Sequence, residues 1–280
     1  ERALRAGDAL RDLVPDAGHL THMPSHIDIL CGHYYNAVIT NSKAIVADRK
    51  FLAREGAIHF YTLYRCHDYH FLIYAAMFLG QYKTAIGAAN NLNTTISEEL
   101  LRVEEPPMAD WLEGFMTMKM HVLIRFGKWQ EVIDEPLPTD PHLYCVSTAM
   151  IHYARAVAHA ASGNIEAAET EKILFSAAFD NVPDTRYIFN NQWGDILAIA
   201  AEMLNGELAY RKGNYDAAFI HLHKSVDLDN HLPYDEPWGW MQPVRHALGA
   251  LMLEQGHVEE AEAVYRADLG LDQTLNRPAQ

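Results

Sequence analysis

The chain has 280 residues, and its 37 acidic and 22 basic residues give a formal net charge of −15 at pH 7. An acidic chain without a basic run is a poor match for nucleic acid or an anionic membrane, whose phosphates attract lysine and arginine. Its apolar stretches are too short to span a bilayer, and its first residues lack the pattern of a secretion signal. We therefore expect a soluble, cytoplasmic protein that binds neither partner.

A short phrase recurs six times along the chain. It consists of a glycine, any residue, a large apolar residue, two further residues, and then alanine or valine. Each copy lies between two segments of helical apolar spacing, so the phrase predicts the tight turn of a helical hairpin. Six hairpins predict an all-α array with a continuous core. The copies begin at Gly32, Gly80, Gly127, Gly163, Gly213 and Gly256.

The predicted helices follow from the apolar spacing and from the capping residues. The first helix is expected to end before Pro15, and Thr21 is expected to cap the second, which carries Pro24 in its first turn. His19 then falls in the linker before that cap, and 53–66 forms a longer connection. The remaining predicted helices cover 34–51, 67–79, 82–92 with an extension over 93–103, 108–126, a short segment after 129, 142–179 with a turn at 163, 192–211, 215–228, 238–254 and 258–268.

The repeated phrase resembles the internal turn of the tetratricopeptide repeat (TPR) family, a helical hairpin of 34 residues. Gly206 and Gly249 also fall on the glycine position of the family's first helix, whereas the rest of that helix's pattern is mostly absent. The spacings between the turn glycines are 48, 47, 36, 50 and 43 residues, so every repeat carries inserted residues. The segments around His22 and His67 also look like a group of uncharacterised bacterial TPR proteins.

The TPR resemblance implies a right-handed superhelix, an α-solenoid, of about six TPR-like hairpins. Residues 19–271 would form this repeat domain. Residues 1–18 would be the end of an earlier helical repeat, so that the chain is part of a longer array. Residues 272–280 would form a frayed tail.

Histidine is concentrated at equivalent positions of the repeats. When the six turn glycines are aligned, the residues 13, 10 and 6 places before them hold seven histidines in eighteen positions, where the chain's 16 in 280 predict about one. In TPR proteins these positions face the concave groove, so the resemblance implies a groove lined by histidine. The candidate groove residues are Tyr74, His121, Tyr153, Glu207, Glu236, Trp238 and His246.

Two of the candidate groove residues, Glu236 and Trp238, flank Pro237, which is expected to begin the last hairpin. Together with Trp240 they form either an acidic and aromatic wall of the groove or, as we favour, a helix start with its tryptophans in the core.

Four histidines form two pairs with metal-ligand spacing. His22 and His26 are spaced i, i+4, and His67 and His70 are spaced i, i+3, so each pair shares one helix face. Crowded imidazoles cannot all be protonated, and neutral imidazole is a common ligand of zinc, copper and iron. The sequence therefore indicates a transition-metal site at these four residues.

Three functions remain open from the sequence. The first is a binding or scaffold protein whose groove receives a protein segment, a peptide or a small ligand. The second is a metal-binding protein or metal-dependent enzyme, with Glu207 or Tyr74 beside the ligands. The carboxylates that could complete its site or serve as a base are Glu207, Asp68 and Glu236. Met23 stands where a zinc protease of the HExxH type has its glutamate, and no other catalytic phrase identifies a reaction. The third is a metal-free groove that opens when histidines are protonated near pH 6.

Overall fold

The fold is built almost entirely from α-helices. The computed structural model describes residues 3–271, which contain one short antiparallel pair of strands besides the helices. The all-α prediction is therefore confirmed for these residues, and the predicted tail at 272–280 lies outside them. None of the helices in this range combines the length and the apolar character needed to cross a membrane.

The chain divides into two compact units between Phe126 and Gly127. In the first unit, α5 lies against both α4 and α6, and α2 and α3 pack on α4. Fourteen of the 17 residues of α5 are buried, so its polar side chains lie in the interior of this unit. The helices are α1 (Leu4–Leu10), α2 (Gly18–His22), α3 (Pro24–Leu30), α4 (Tyr34–Glu55), α5 (Thr62–Phe78), α6 (Tyr82–Thr95), α7 (Glu98–Leu101), α8 (Met108–Leu112) and α9 (Met118–Arg125), with a 3-10 turn at Glu113–Thr117.

The second unit consists mainly of helices packed in consecutive pairs. Helices α11 and α12, α13 and α14, and α15 and α16 form the pairs, and α11 also packs against α13. The strands pair antiparallel, with Tyr187 opposite Gln192. The elements are α10 (Trp129–Ile133), α11 (Cys145–Ala161), α12 (Ile165–Phe179), β1 (Tyr187–Ile188), β2 (Asn191–Gln192), α13 (Trp193–Arg211), α14 (Tyr215–His231), α15 (Val244–Glu254) and α16 (Val258–Asp268).

The six predicted glycine turns are confirmed. Every turn glycine joins two successive helices and has a φ between 61° and 82°, the left-handed region that only glycine enters at no steric cost. The pairs that follow directly from these turns and pack against each other are α3 with α4, α5 with α6, α11 with α12, α13 with α14, and α15 with α16.

Two glycines allow a close approach of paired helices in the second unit. A Cβ atom on Gly206 would lie 2.7 Å from Cγ of Leu222, and one on Gly249 would lie 2.6 Å from the ring of Tyr265. Both distances are shorter than real Cβ contacts, so any larger residue would push the helices apart.

The N-terminal helices differ from the prediction. Thr21 lies inside α2 and does not cap a helix, and His19 lies in α2 and not in a linker. The helix breaks instead at Met23, because Pro24 has no N–H to donate to the preceding turn. The two helices on either side of this break together carry the first three histidines of the cluster.

Three other helix boundaries were predicted wrongly. Helix α6 does not extend over 93–103 but ends at Thr95, and the Ser97 side chain caps α7 by accepting a hydrogen bond from the N–H of Leu100. The segment 108–126 is not one helix, because the 3-10 turn separates α8 from α9. The connection predicted at 53–66 is shorter, because α4 runs to Glu55 and α5 begins at Thr62.

The last hairpin also begins later than the sequence predicted. Helix α15 starts at Val244, directly after Pro243, and Pro237 lies in the preceding loop. Proline fixes its own φ and disfavours helical backbone in the residue before it, so the second proline sets the helix start. The β1–β2 hairpin, with only two residues in each strand, was not predicted.

Candidate functional site

Three helices of the first unit bring histidine side chains together. His22 on α2, His26 on α3 and His67 on α5 form a triangle whose ring centroids are 4.8, 4.8 and 5.4 Å apart. His22 and His67 are buried and His26 is half-buried. His19, also on α2, lies beside them, with its ring centroid 5.6 Å from that of His22.

The ring nitrogens of this triangle approach one another closely. Nε2 of His22 and Nε2 of His26 are 2.9 Å apart, and one nitrogen from each of these rings and from His67 falls within 4.8 Å of the others. In tetrahedral zinc sites the nitrogens lie about 2.0 to 2.1 Å from the ion, so two ligand nitrogens are about 3.4 Å apart. The widest separation would therefore have to shorten by up to about 1.4 Å, and the His22–His26 pair would have to open slightly, for the three nitrogens to surround one ion.

An aromatic ring closes one side of the histidine triangle. The ring centroid of Phe71 lies 4.6 Å from that of His22, 4.5 Å from that of His26 and 4.8 Å from that of His67. Phe71 is fully buried. An apolar wall of this kind keeps water from competing with the imidazoles on that side and lowers the local dielectric.

The tautomer of His22 follows from its neighbour on α4. The Nδ2 of Asn41 donates to the carbonyl of Ala37 at 2.8 Å, which turns Oδ1 of the amide towards His22. This Oδ1 accepts a hydrogen bond of 2.7 Å from Nδ1 of His22, so Nδ1 carries the proton. The Nε2 lone pair of His22 therefore faces His26, as in metal sites where a hydrogen bond to one ring nitrogen orients the other.

Buried carboxyl groups lie behind His22. Oδ1 of Asp68 is 3.4 Å from Nδ1 of His22, and Asp48 lies next to Asp68. The Tyr61 hydroxyl donates to Oδ1 of Asp48 at 2.9 Å and accepts the N–H of His19 at 3.2 Å. Burial, with a further contribution from the charge of Asp48, holds the pKa of Asp68 well above its usual range. This favours a protonated Asp68, because two adjacent buried carboxylates repel each other.

The buried imidazoles of the cluster are neutral at pH 7. Burial, followed by the charges of neighbouring histidines, holds the pKa of His22 and of His67 well below the ordinary value. Burial also lowers the pKa of His19. A neutral ring offers one lone pair, so the surroundings keep these side chains in the form that binds a metal.

His70, predicted as the fourth ligand, lies in the next layer of the unit. Its ring centroid is 6.2 Å from that of His67 and 5.5 Å from that of Phe115. Burial and the nearby His121 lower its pKa to about 3, and burial lowers the pKa of His121 to about 4. Among the described residues, the triads with ligand spacing are His22 with His26 and His67, and His22 with His19 and Asp68.

The other candidate groove residue of the first unit, Tyr74, belongs to an aromatic cluster at the far end of α5. Its ring centroid lies 4.7 Å from that of Phe78 and 6.3 Å from that of Tyr34. Five further candidates, Tyr153, Glu207, Glu236, Trp238 and His246, belong to the second unit.

Two of the candidates in the second unit interact with each other. Tyr153 is buried, and its ring centroid lies 5.6 Å from that of Trp240. Burial, with a contribution from the charge of Glu207, raises the pKa of Tyr153. Glu207 itself accepts a hydrogen bond of 2.8 Å from Arg211. Trp240 is buried, as the core interpretation predicted, whereas Trp238 is only half-buried and not in the core.

The remaining candidates of the second unit make local hydrogen bonds. The Tyr234 hydroxyl donates to Glu236, and Nε1 of Trp238 donates to Oδ1 of Asp229 at 2.9 Å. Nε2 of His246 lies 3.1 Å from a carboxylate oxygen of Asp268. These contacts give each side chain a structural partner within its own unit.

Sequence reasoning missed the roles of Asn41, Asp48 and Phe71. Asn41 and Asp48 are spaced i, i+7 on α4, and both lie on its buried face with Ala37 and Ala44. A polar residue on an otherwise apolar helix stripe was the available signal for Asp48. Nothing in the pattern of α5 distinguished Phe71 from an ordinary core phenylalanine.

Comparison of the chain with models of protein families, with curated proteins and with solved structures finds no match.

Proposed function

We propose that the first unit binds a transition metal ion through His22, His26 and His67. The observation that carries the proposal is the convergence of three ring nitrogens within 4.8 Å of one another on α2, α3 and α5. A surface HxxxH pair alone would not support it, but here the third ring comes from a different helix and the site is largely enclosed.

The surroundings of the three rings support metal binding in two further ways. The lowered pKa values of His22 and His67 keep these ligands neutral at pH 7, so the metal does not have to compete with protons. The hydrogen bond from His22 to Asn41 fixes the ring so that Nε2 faces the site. Residues that hydrogen-bond to a metal ligand, as Asn41 does to His22, commonly contribute about 10- to 100-fold to metal affinity.

Three imidazoles are a ligand set suited to zinc, copper or iron. A site with three protein ligands leaves a coordination position for water or a small molecule, as catalytic zinc sites do. A bound metal would supply Lewis acidity at that position. The residues themselves would hold the ion, exclude water on the Phe71 side and keep the ligand nitrogens deprotonated.

A TPR-like binding role is the second candidate. It is favoured by the paired helices with glycine turns and by the close helix approach at Gly206 and Gly249, the positions that the TPR pattern reserves for glycine. On this proposal the hairpins continue as a right-handed superhelix whose groove receives a protein segment, a peptide or a small ligand, as most chains of that architecture do. The two functions are compatible within one chain.

The metal proposal is tested on protein purified without a histidine tag. Elemental analysis, before and after reconstitution with zinc, copper and iron, is compared with a His26→Ala, His67→Ala double variant and with His70→Gln. We expect about one metal per chain in the wild type and in His70→Gln, and loss in the double variant with unchanged circular dichroism.

Cobalt(II) provides the geometric readout for the same proteins. Visible absorption bands of four-coordinate cobalt should appear in the wild type and disappear in the double variant. Absence of stoichiometric metal from the wild type after all three reconstitutions would refute the metal proposal and leave the TPR-like binding role. Equal metal content in the wild type and the double variant would refute the ligand assignment.

A further inference from the structure

A second candidate site of the first unit is a cavity between α4, α5 and α6. Its volume is about 410 Å³, within the range of small-molecule pockets. It contains none of the three proposed metal ligands. Its walls include Asp48, Arg49 and Leu52 on α4, Arg65 and Tyr69 on α5, and Thr95 on α6.

The most unusual side chain of this cavity is Arg65, which is only 2% exposed. One terminal nitrogen donates to Oγ1 of Thr95 at 2.9 Å, and the other donates to Oγ1 of Thr62 at 3.0 Å. Its Nε–H has no hydrogen-bond partner among the described residues. The guanidinium therefore bonds only to neutral hydroxyl groups and has a donor left over, and the charge of Asp48 acts on it without a hydrogen bond. A buried guanidinium is usually compensated by a directly bonded anion, which Arg65 does not have among the described residues.

The charges of the cavity walls are unequal. Arg49 and Arg65 contribute two cations, and Asp48 is the one acidic residue of the lining. Arg49 is exposed at the rim, where its guanidinium lies 3.4 Å from the Tyr69 hydroxyl. Arg65 and Asp48 interact through their charges, but within residues 3–271 neither guanidinium forms an ion pair at contact distance with a carboxylate. The lining therefore carries one positive charge in excess.

We infer that this cavity binds a small organic oxyanion, with its carboxylate or phosphate group on the Arg65 guanidinium. Two hydroxyl contacts hold the guanidinium in place, and the Nε–H together with an N–H of one terminal nitrogen forms a planar fork that matches two oxygens. Arg49 at the rim adds attraction for the incoming anion.

The rest of the lining sets the character of the ligand. Ile45, Leu52 and Ala57 provide an apolar wall for a hydrocarbon body, and the ring of Tyr69 adds an aromatic surface. A fully hydrated inorganic ion would leave this wall without a partner. The cavity therefore suits an anion that is attached to an apolar group.

Three small molecules with the same phenyl body test the inference by calorimetric titration. Benzoate carries a carboxylate, phenyl phosphate carries a phosphate, and benzamide is the neutral analogue of benzoate. The protein is treated with a chelator beforehand, so that the result is independent of the proposed metal site. The variants are Arg65→Met, Arg49→Gln and, as a matched control on α4, Arg54→Gln.

We expect saturable binding of benzoate or phenyl phosphate, and the tighter of the two identifies the class of oxyanion. Arg65→Met removes the paired charge-assisted hydrogen bonds to the anion and should weaken anion binding by about 10- to 100-fold. Arg54→Gln should bind the anion as the wild type does. Benzamide should bind at least about tenfold more weakly than benzoate.

The inference fails if neither anion binds, if benzamide binds as tightly as benzoate, or if folded Arg65→Met binds as the wild type does. Should circular dichroism show that Arg65→Met is unfolded, Arg49→Gln decides. This exposed substitution should weaken anion binding by about threefold or more at low salt. Unchanged binding would then overturn the inference.

Discussion

Acid should destabilise the metal-free protein in part through His121. This side chain is 2% exposed, and burial lowers its pKa to about 4, whereas an unfolded histidine has a pKa near 6.5. Between these two values the unfolded chain binds a proton that the folded chain does not. The stability due to neutral His121 is therefore complete above pH 6.5 and is lost as the pH falls towards 4.

The size of this effect follows from the two pKa values. At pH 5 the unfolded histidine is protonated, because the pH lies about 1.5 units below its pKa, whereas the folded histidine is mostly neutral. At about 1.36 kcal/mol per unit, this difference lowers the free energy of unfolding by about 2 kcal/mol. His70, with a pKa of about 3, should add a similar loss. A His121→Gln variant, which keeps a polar side chain but cannot be protonated, should therefore lose about 2 kcal/mol less than the wild type between pH 7 and pH 5.

Urea unfolding followed by circular dichroism, with a chelator present, measures this difference. The exposed His142 provides the control, because its replacement by glutamine should leave the pH dependence of the free energy of unfolding unchanged. Parallel pH dependences for the wild type and His121→Gln would refute the reasoning. They would mean that water or a rearrangement lets His121 ionise in the folded protein.

Three further predictions concern single substitutions. Asn41→Leu should weaken cobalt(II) binding by about 10- to 100-fold, because it removes the acceptor that orients the ring of His22. Asn41→Asp, which keeps an acceptor, should bind cobalt(II) as the wild type does. Equal affinity of the two variants would contradict this role of Asn41. Gly206→Ala should reduce the free energy of unfolding by about 1 to 3 kcal/mol through a steric clash. Gly87→Ala, whose added Cβ would meet no atom within 4 Å, should not destabilise the protein. Thermal denaturation compares the two variants, and equal effects would argue against the clash. Asp28→Ala should cost about 3 kcal/mol because it removes the buried carboxylate that bonds twice to Arg11 and leaves the exposed Asp8 as the acidic partner. The exposed Asp12→Ala should cost less than about 1 kcal/mol. Similar losses in urea unfolding would show that burial is irrelevant to the Arg11–Asp28 pair.

The pair formed by Arg11 and Asp28 shows what the sequence could not predict about the first helix. Two hydrogen bonds of 2.7 Å join the guanidinium of Arg11, just after α1, to the fully buried carboxylate of Asp28 on α3. The sequence interpretation assigned residues 1–18 to an earlier repeat, on the basis of apolar spacing alone. In the structure α1 packs on α3, and the Arg11–Asp28 pair joins the two.

The local features of the fold were predictable from the sequence. The backbone conformation of a glycine turn depends on a few consecutive residues, so the recurring phrase located all six turns before any contact was known. The breaks caused by Pro24 and Pro243 are equally local, but their positions were misjudged because Thr21 and Pro237 offered competing start signals. Propensity alone does not decide between two nearby starts.

Identifying the candidate site required both the helical spacing of the sequence and the packing of helices against one another. Helical spacing placed His22 with His26 and placed His67 with His70, because neighbours on one helix face are fixed by the helical period. Only the packing of α2 and α3 against α4 and α5 decided that His67, and not His70, completes the triad. His70 lies further along α5, where its ring is close to that of Phe115.

The sequence by itself therefore determined the helical class, the turns and the enrichment of histidine. Tertiary structure alone decided which polar side chains share an interior: Asn41 behind His22, Asp48 beside Asp68, and Arg65 in a cavity with an unpartnered donor. The physical reason is that turns and helices form from contacts between residues close in the chain. Burial and hydrogen-bond partners arise from contacts between helices that are far apart in it.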